Sequence, residues 1–106
     1  MTTMSFRSIS GNTVALTRSG MDHIAKRHPE LKNFDLANKI GIAVKSPDYV
    51  VQGKFGRHIA VRSEPMILGK AKYMVVIYED GGEVITAFMT SKIEKIIRRN
   101  VLWKRC

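Results

Sequence analysis

The chain has 106 residues, a single cysteine and no apolar run near the roughly 18 residues that a membrane span needs. That length suits one domain with a core of its own, and Cys106 alone can form no intrachain disulfide and no Cys-rich zinc site. Eighteen Lys and Arg against nine Asp and Glu leave a net charge of +9, which points to polyanionic partners: nucleic acid, acidic lipid or an acidic protein.

The opening MTTMSFRSIS lacks the basic head and apolar run of a signal peptide, so a soluble protein acting in the cytoplasm of whichever cell it reaches is expected, with no membrane partner. A start at Met1 favours a free-standing product over the end of a larger protein. Two β-prone runs flank Gly11-Asn12, a dipeptide of the two-residue hairpin kind, which predicts a hairpin over residues 6 to 17. The period then changes. Met21, Ile24 and Ala25 are spaced for a helix, with Ser19 a candidate N-cap and Asp22 near the positive end, and Pro29 stops it. Leu36, Ile40 and Val44 recur at intervals of four, predicting a second helix from about Asp35 to Lys45 that Pro47 closes.

From Asp48 onward the sequence reads as sheet. YVVQGK, RHIAVRS, KYMVVIYE and EVITAFM are rich in β-branched and aromatic residues, and Asp80-Gly81-Gly82 makes a compact loop between the last two. YMVVIY is apolar on both faces and suits a central strand; RHIAVRS alternates, leaving His58, Ala60 and Arg62 on a polar face. Ser91 and Glu94 read as a capping box opening a last helix, SKIEKIIRR, with Ile93, Ile96 and Ile97 inward. The expectation is one α+β domain over residues 1–106: a hairpin, two helices packed on a four-stranded antiparallel sheet, and a C-terminal helix.

HIAKRHPE, residues 23 to 30, holds two of the three histidines. On a helix His23 and Arg27 lie about 40° apart on one face, while Pro29 draws His28 out at the C-terminal end, where the dipole favours an imidazolium. The plain reading is a solvated basic face with a favourable cap. Zinc is disfavoured, because the i, i+5 spacing does not put both histidines on one face and no cysteine is near. The alternative is acid–base chemistry. Cleaving RNA through its own 2′-hydroxyl needs one group to take a proton, one to give a proton, and donors or cations around the phosphate, with no metal or other cofactor.

HIAKRHPE, the segment ending at SPDYVVQG, the pair MVVIYEDGGEVITAFMTSK and the closing RRNVLW together resemble the Barnase, EndoU, colicin and RelE-like superfamily of small RNases, nearest its phage-associated, contact-dependent-inhibition and colicin D-like toxin domains. The likeness covers about residues 18 to 103. It implies helices packed on a four-stranded sheet, a metal-independent ribonuclease giving a 2′,3′-cyclic phosphate, often from tRNA, and an acidic immunity or antitoxin partner. Carried over by position, the family's pattern falls on His23, Ile24, Arg27, His28, Pro29 and Glu30, its terminal-strand threonine on Thr86, and its central-strand basic residue on Arg62. Taken alone, Thr86 reads as a β-branched filler of a sheet face.

Lys26, His58, Lys70, Lys72, Thr90 and Lys92 are the candidate RNA contacts, though such charge runs are usually solvated and at most about a third should touch phosphate. Trp103 is either a C-terminal plug or a stacking platform, and Met66, Ile67 and Leu68 form an exposed loop, a strand edge or a protein contact. Two further readings stand beside the ribonuclease: a non-catalytic RNA-binding module, and an interaction domain for an acidic protein.

Overall fold

The structure, a computed structural model, describes residues 4–27, 36–67, 70–98 and 100–105, without the side chains of residues 36, 64–67, 70 and 71. Strands β1 (Met4–Arg7) and β2 (Thr13–Leu16) form an antiparallel hairpin; α1 (Arg18–Arg27) and α2 (Leu36–Lys45) follow. Then come β3 (Tyr49–Gln52), β4 (His58–Ile67), β5 (Lys70–Tyr78), β6 (Val84–Thr90), the short α3 (Glu94–Ile97) and β7 (Val101–Lys104). The larger sheet is antiparallel with the order β6-β5-β4-β3-β7.

The α+β class and the four predicted strands stand, and β7 adds a fifth. It pairs with the outer edge of β3, so the described sheet is one strand wider than expected. The predicted hairpin is also present, but its loop is longer than two residues. Arg7 already faces Thr13, leaving residues 8–12 to make the turn, with Gly11 at φ 86° and its N–H donating to the Ser8 carbonyl. The cause is tertiary: Ser8, Ser10 and Asn12 all turn their side chains to Asp80 on the β5–β6 loop.

Helix α1 is capped one residue pair earlier than predicted. The Thr17 hydroxyl, not Ser19, accepts the Gly20 N–H at 3.0 Å, at the spacing that ties an N-cap to the third helical residue. The Ser91–Glu94 capping box is not formed. Ile93 occupies the cap position of α3 with no side-chain bond, and Thr90 instead accepts the Lys92 N–H across a tight turn, which leaves room for only a four-residue helix.

Both faces of the sheet are covered, as YMVVIY implied. On one face Met74, Val76 and Tyr78 of β5 join Ala60, Ala87, Ile24, Ile40, Val44, Phe6 and Leu16 in the larger core beneath α1, α2 and the hairpin. Gly41 of α2 lets the Phe6 ring approach so closely that a Cβ there would lie 2.4 Å from it. On the other face Val51, Ile59, Val61 and Val75 meet Ile93, with Ile96 and Ile97 of α3 laid over them. The alternation read in RHIAVRS holds, but its polar side is partly covered. Ala60 is fully buried in the helix-side core, and Arg62 donates to the Ser46 carbonyl at 2.5 Å just past α2, where Arg105 also donates at 2.6 Å. Two guanidiniums at a helix C-terminus match the negative end of its dipole. Among the described residues no helix is long and apolar enough to cross a membrane.

Candidate active site

Ile24 is fully buried in the helix-side core and so fixes how α1 is rotated about its axis. That rotation turns His23 and Arg27, one helical turn apart, outward along the edge strand β6. Gly20 leaves room for the cap: a Cβ there would lie 3.1 Å from the Thr17 hydroxyl, while the Val84 carbonyl at the start of β6 would be at an ordinary contact distance of 3.8 Å. On the strand a register shift between the Tyr78–Val84 and Ile77–Thr86 pairs inserts Ile85 as an extra residue. After this bulge Thr86 stands opposite Ile77 and shares a strand face with Phe88; Ile77 and Phe88 pack on the α3 side of the sheet.

Helix and strand therefore meet around the sheet edge in one cleft of about 450 Å³, lined by His23, Arg27, Ile85, Thr86 and Phe88. A second groove of about 270 Å³ shares His23 and Ile85 and is completed by Thr17, Ser19, Gly20, Glu83 and Val84. His23 stands on the divide. It shares the larger cleft with a cation and a hydroxyl, Arg27 and Thr86, and the smaller groove with a carboxylate, Glu83, a set suited to proton transfer beside an anion. Compared with protein-family models, curated proteins and solved structures, the chain matches none.

Three of the five expected catalytic residues are brought together: His23, Arg27 and Thr86. Arg62 lines none of this cleft and is held on Ser46, because α2 covers the strand face from which it projects. His28 lies outside the described residues. Of the expected RNA contacts, Lys26 and Lys92 are exposed, Lys72 is half-buried opposite Glu64, and Thr90 is engaged in the turn before α3. The side chain of Lys70 is not among those described. Among the described residues no group of three His, Cys, Asp or Glu side chains is gathered as metal ligands.

His58 is half-buried and packs on Tyr78. Its ring meets the Tyr78 ring edge-on at 5.6 Å, and its Nδ1 is buried without a partner among the described residues. The fully buried Tyr78 hydroxyl also has no partner there; burial first, and then the negative charge of Asp80, push its phenol up to about 12. A buried donor with nothing to bond contributes nothing by being present. Tyr78→Phe is therefore expected to keep the parent's stability or raise it by up to about 1 kcal/mol, read from the urea midpoint. A loss of more than about 1 kcal/mol would show that the hydroxyl is bonded after all.

Two features escaped the sequence reading. Glu83 opens the predicted strand run EVITAFM, where the sequence assigns it no role, yet it lines the groove beside His23. Phe55, in the β3–β4 turn, is 86% exposed and sits at φ 58°, ψ 33°, a left-handed conformation that costs a non-glycine residue about 1–2 kcal/mol. Its signal was present in QGKFGR: an aromatic next to a glycine and two cations between two strands, where a turn has no packing use for a phenyl ring.

Proposed function

We propose that the protein is a metal-independent endoribonuclease acting through the His23 cleft. The observation that carries this reading is the convergence of His23 and Arg27 from α1 with Thr86 from β6 on one cleft. A module that only bound RNA would need a basic surface and no such convergence. In the proposed reaction His23 takes the proton of a 2′-hydroxyl, whose oxygen attacks the adjacent phosphorus. Arg27 and the Thr86 hydroxyl stabilise the charge gathering on the phosphoryl oxygens. The 5′-oxygen leaves with a proton from a second group, for which His28 is the candidate the sequence offers, and a 2′,3′-cyclic phosphate remains. The +9 charge draws RNA to the surface ahead of chemistry. The likeness of HIAKRHPE and VITAF to the toxin RNases supports the same assignment, with tRNA the first substrate to try and an acidic immunity or antitoxin protein as the expected antagonist.

The test is to incubate the purified protein with total tRNA in excess EDTA. Fragments ending in 2′,3′-cyclic phosphate are expected. Activity lost in EDTA and restored by magnesium would overturn the mechanism; RNA binding with no cleavage under any condition would leave the binding module.

A further inference from the structure

We infer that Phe55 is a stacking platform for an unpaired base of the RNA, lying beside the cleavage cleft. The inference rests on the ribonuclease reading and adds to it a substrate class, single-stranded RNA.

The turn that carries Phe55 is built to hold it out. Gly53 N–H donates to the Arg57 carbonyl at 2.7 Å, Arg57 N–H donates to Lys54 at 3.1 Å, and a side chain at Gly53 would meet the Arg57 carbonyl at 3.0 Å. Phe55 and Gly56 both take positive φ, 58° and 74°. A turn alone would be served more cheaply by glycine or asparagine at position 55, and the exposed ring gains no burial in return for its strain. The Arg57 guanidinium lies 5.7 Å from the ring centroid, bracing it while the ring stays open to solvent. Beneath it is a cleft of about 200 Å³ lined by Gly53, Lys54, Phe55, Arg57, Ile59 and Ile77. Pockets for drug-sized ligands run to roughly 300–1,000 Å³, so this one suits a single planar ring. Lys54 and Arg57 supply the charge that a phosphate-linked base requires, and among the described residues no carboxylate lines the cleft. An acidic protein could match that charge, but the cleft is too small for an element of another chain.

Register connects this platform to the catalytic cleft. Ile59 pairs with Ile77, and Ile77 pairs with Thr86, so floor and candidate site share one row of side chains on one face of the sheet. Neighbouring strands lie about 4.8 Å apart, which puts Ile59 and Thr86 roughly 10 Å from each other. That is about three base steps of a stacked strand at about 3.4 Å each, and fewer in an extended one. A single strand can then place one base on Phe55 while the phosphate of a near neighbour lies between Arg27 and Thr86. A duplex, its bases already stacked, gains nothing from the ring.

The probe is a fluorescein-labelled single-stranded RNA 20-mer, fully 2′-O-methylated so that it has no nucleophile, beside the same sequence as a duplex. Binding is followed by anisotropy over a range of salt. Phe55→Ala is expected to bind the single strand roughly 5- to 150-fold more weakly, the usual worth of one base–aromatic stack. Its salt slope and its duplex affinity should match the parent's, and Phe55→Trp should restore tight binding. If Phe55→Ala binds the single strand like the parent, or weakens the duplex equally, the base platform is overturned and the ring is left for a protein contact. If the parent binds both probes but cleaves no RNA, the ribonuclease reading fails by itself; if the parent binds neither, both fall.

Discussion

His23→Ala is expected to slow RNA cleavage by about two to four orders of magnitude, the usual worth of a positioned acid or base. His23 lines both grooves, one with Arg27 and Thr86 and the other with Glu83, and under the proposed mechanism its removal takes away the group that accepts the 2′-hydroxyl proton. The fold should not notice. His23 is exposed, and α1 is held to the core by Ile24 and by the Thr17 cap, neither of which the substitution touches. Initial rates on tRNA alongside thermal unfolding separate the two effects. An unchanged rate in the variant removes His23 from the chemistry. His28→Ala, assayed in the same series, identifies His28 as the proton donor if its rate approaches that of His23→Ala, and removes it from that role if its rate matches the parent's.

Asp80→Ala is expected to cost about 2–3 kcal/mol at neutral pH, less than the sum of the bonds lost. Asp80 accepts hydrogen bonds from Ser8 and Ser10 at 2.6 Å and from Asn12 at 3.1 Å, tying the first hairpin to the β5–β6 loop. The bonds from Ser10 and Asn12 are solvent-exposed and worth little each, but Ser8 is only 5% exposed and would be left with no acceptor for its hydroxyl. Burial pushes the Asp80 carboxyl up; the bonds from Ser10, Ser8 and Asn12, helped by His58, outweigh it and hold the group below its ordinary value of 3.8. A depressed carboxylate stabilises the fold above its unfolded value and loses that contribution as pH falls through its folded one. In urea titrations the gap between parent and variant should be full at neutral pH and shrink below about pH 4. A gap of constant size down to about pH 2 would assign the loss to packing instead.

The elements that were legible in the sequence are those whose period is set by burial. Leu36, Ile40 and Val44 placed α2 to within a residue of Leu36–Lys45, and YMVVIY announced a strand covered on both sides. The i, i+4 spacing of His23 and Arg27 likewise survives directly as one wall of a cleft. What could not be read depends on a partner far along the chain. Gly11-Asn12 has the composition of a two-residue turn, but Asn12 is committed to a carboxylate 68 positions away. Ser91 and Glu94 fit a capping box in spacing alone, and Thr90 takes the turn first. VLWK, short and basic, carries no alternation that marks a strand; it becomes one because β3 offers it an unpaired edge. Arg62 was placed on the correct side of β4, and its destination changed because nothing in the alternation of a strand reveals which helix will lie over it.

The unequal division of the core between the two faces gives the molecule a gradient of local opening free energy. β4 and β5 lie inside the sheet, with the larger cluster beneath α1 and α2, so parting them requires nearly global unfolding. α3 is a single turn resting on the smaller cluster by Ile93, Ile96 and Ile97, and it can lift while the rest stays folded. The row from Ile59 through Ile77 to Thr86 lies on that same face. On the proposed function, substrate would meet the protein on the face with the smaller buried cluster, while the helix that carries His23 is anchored by Ile24 in the larger one.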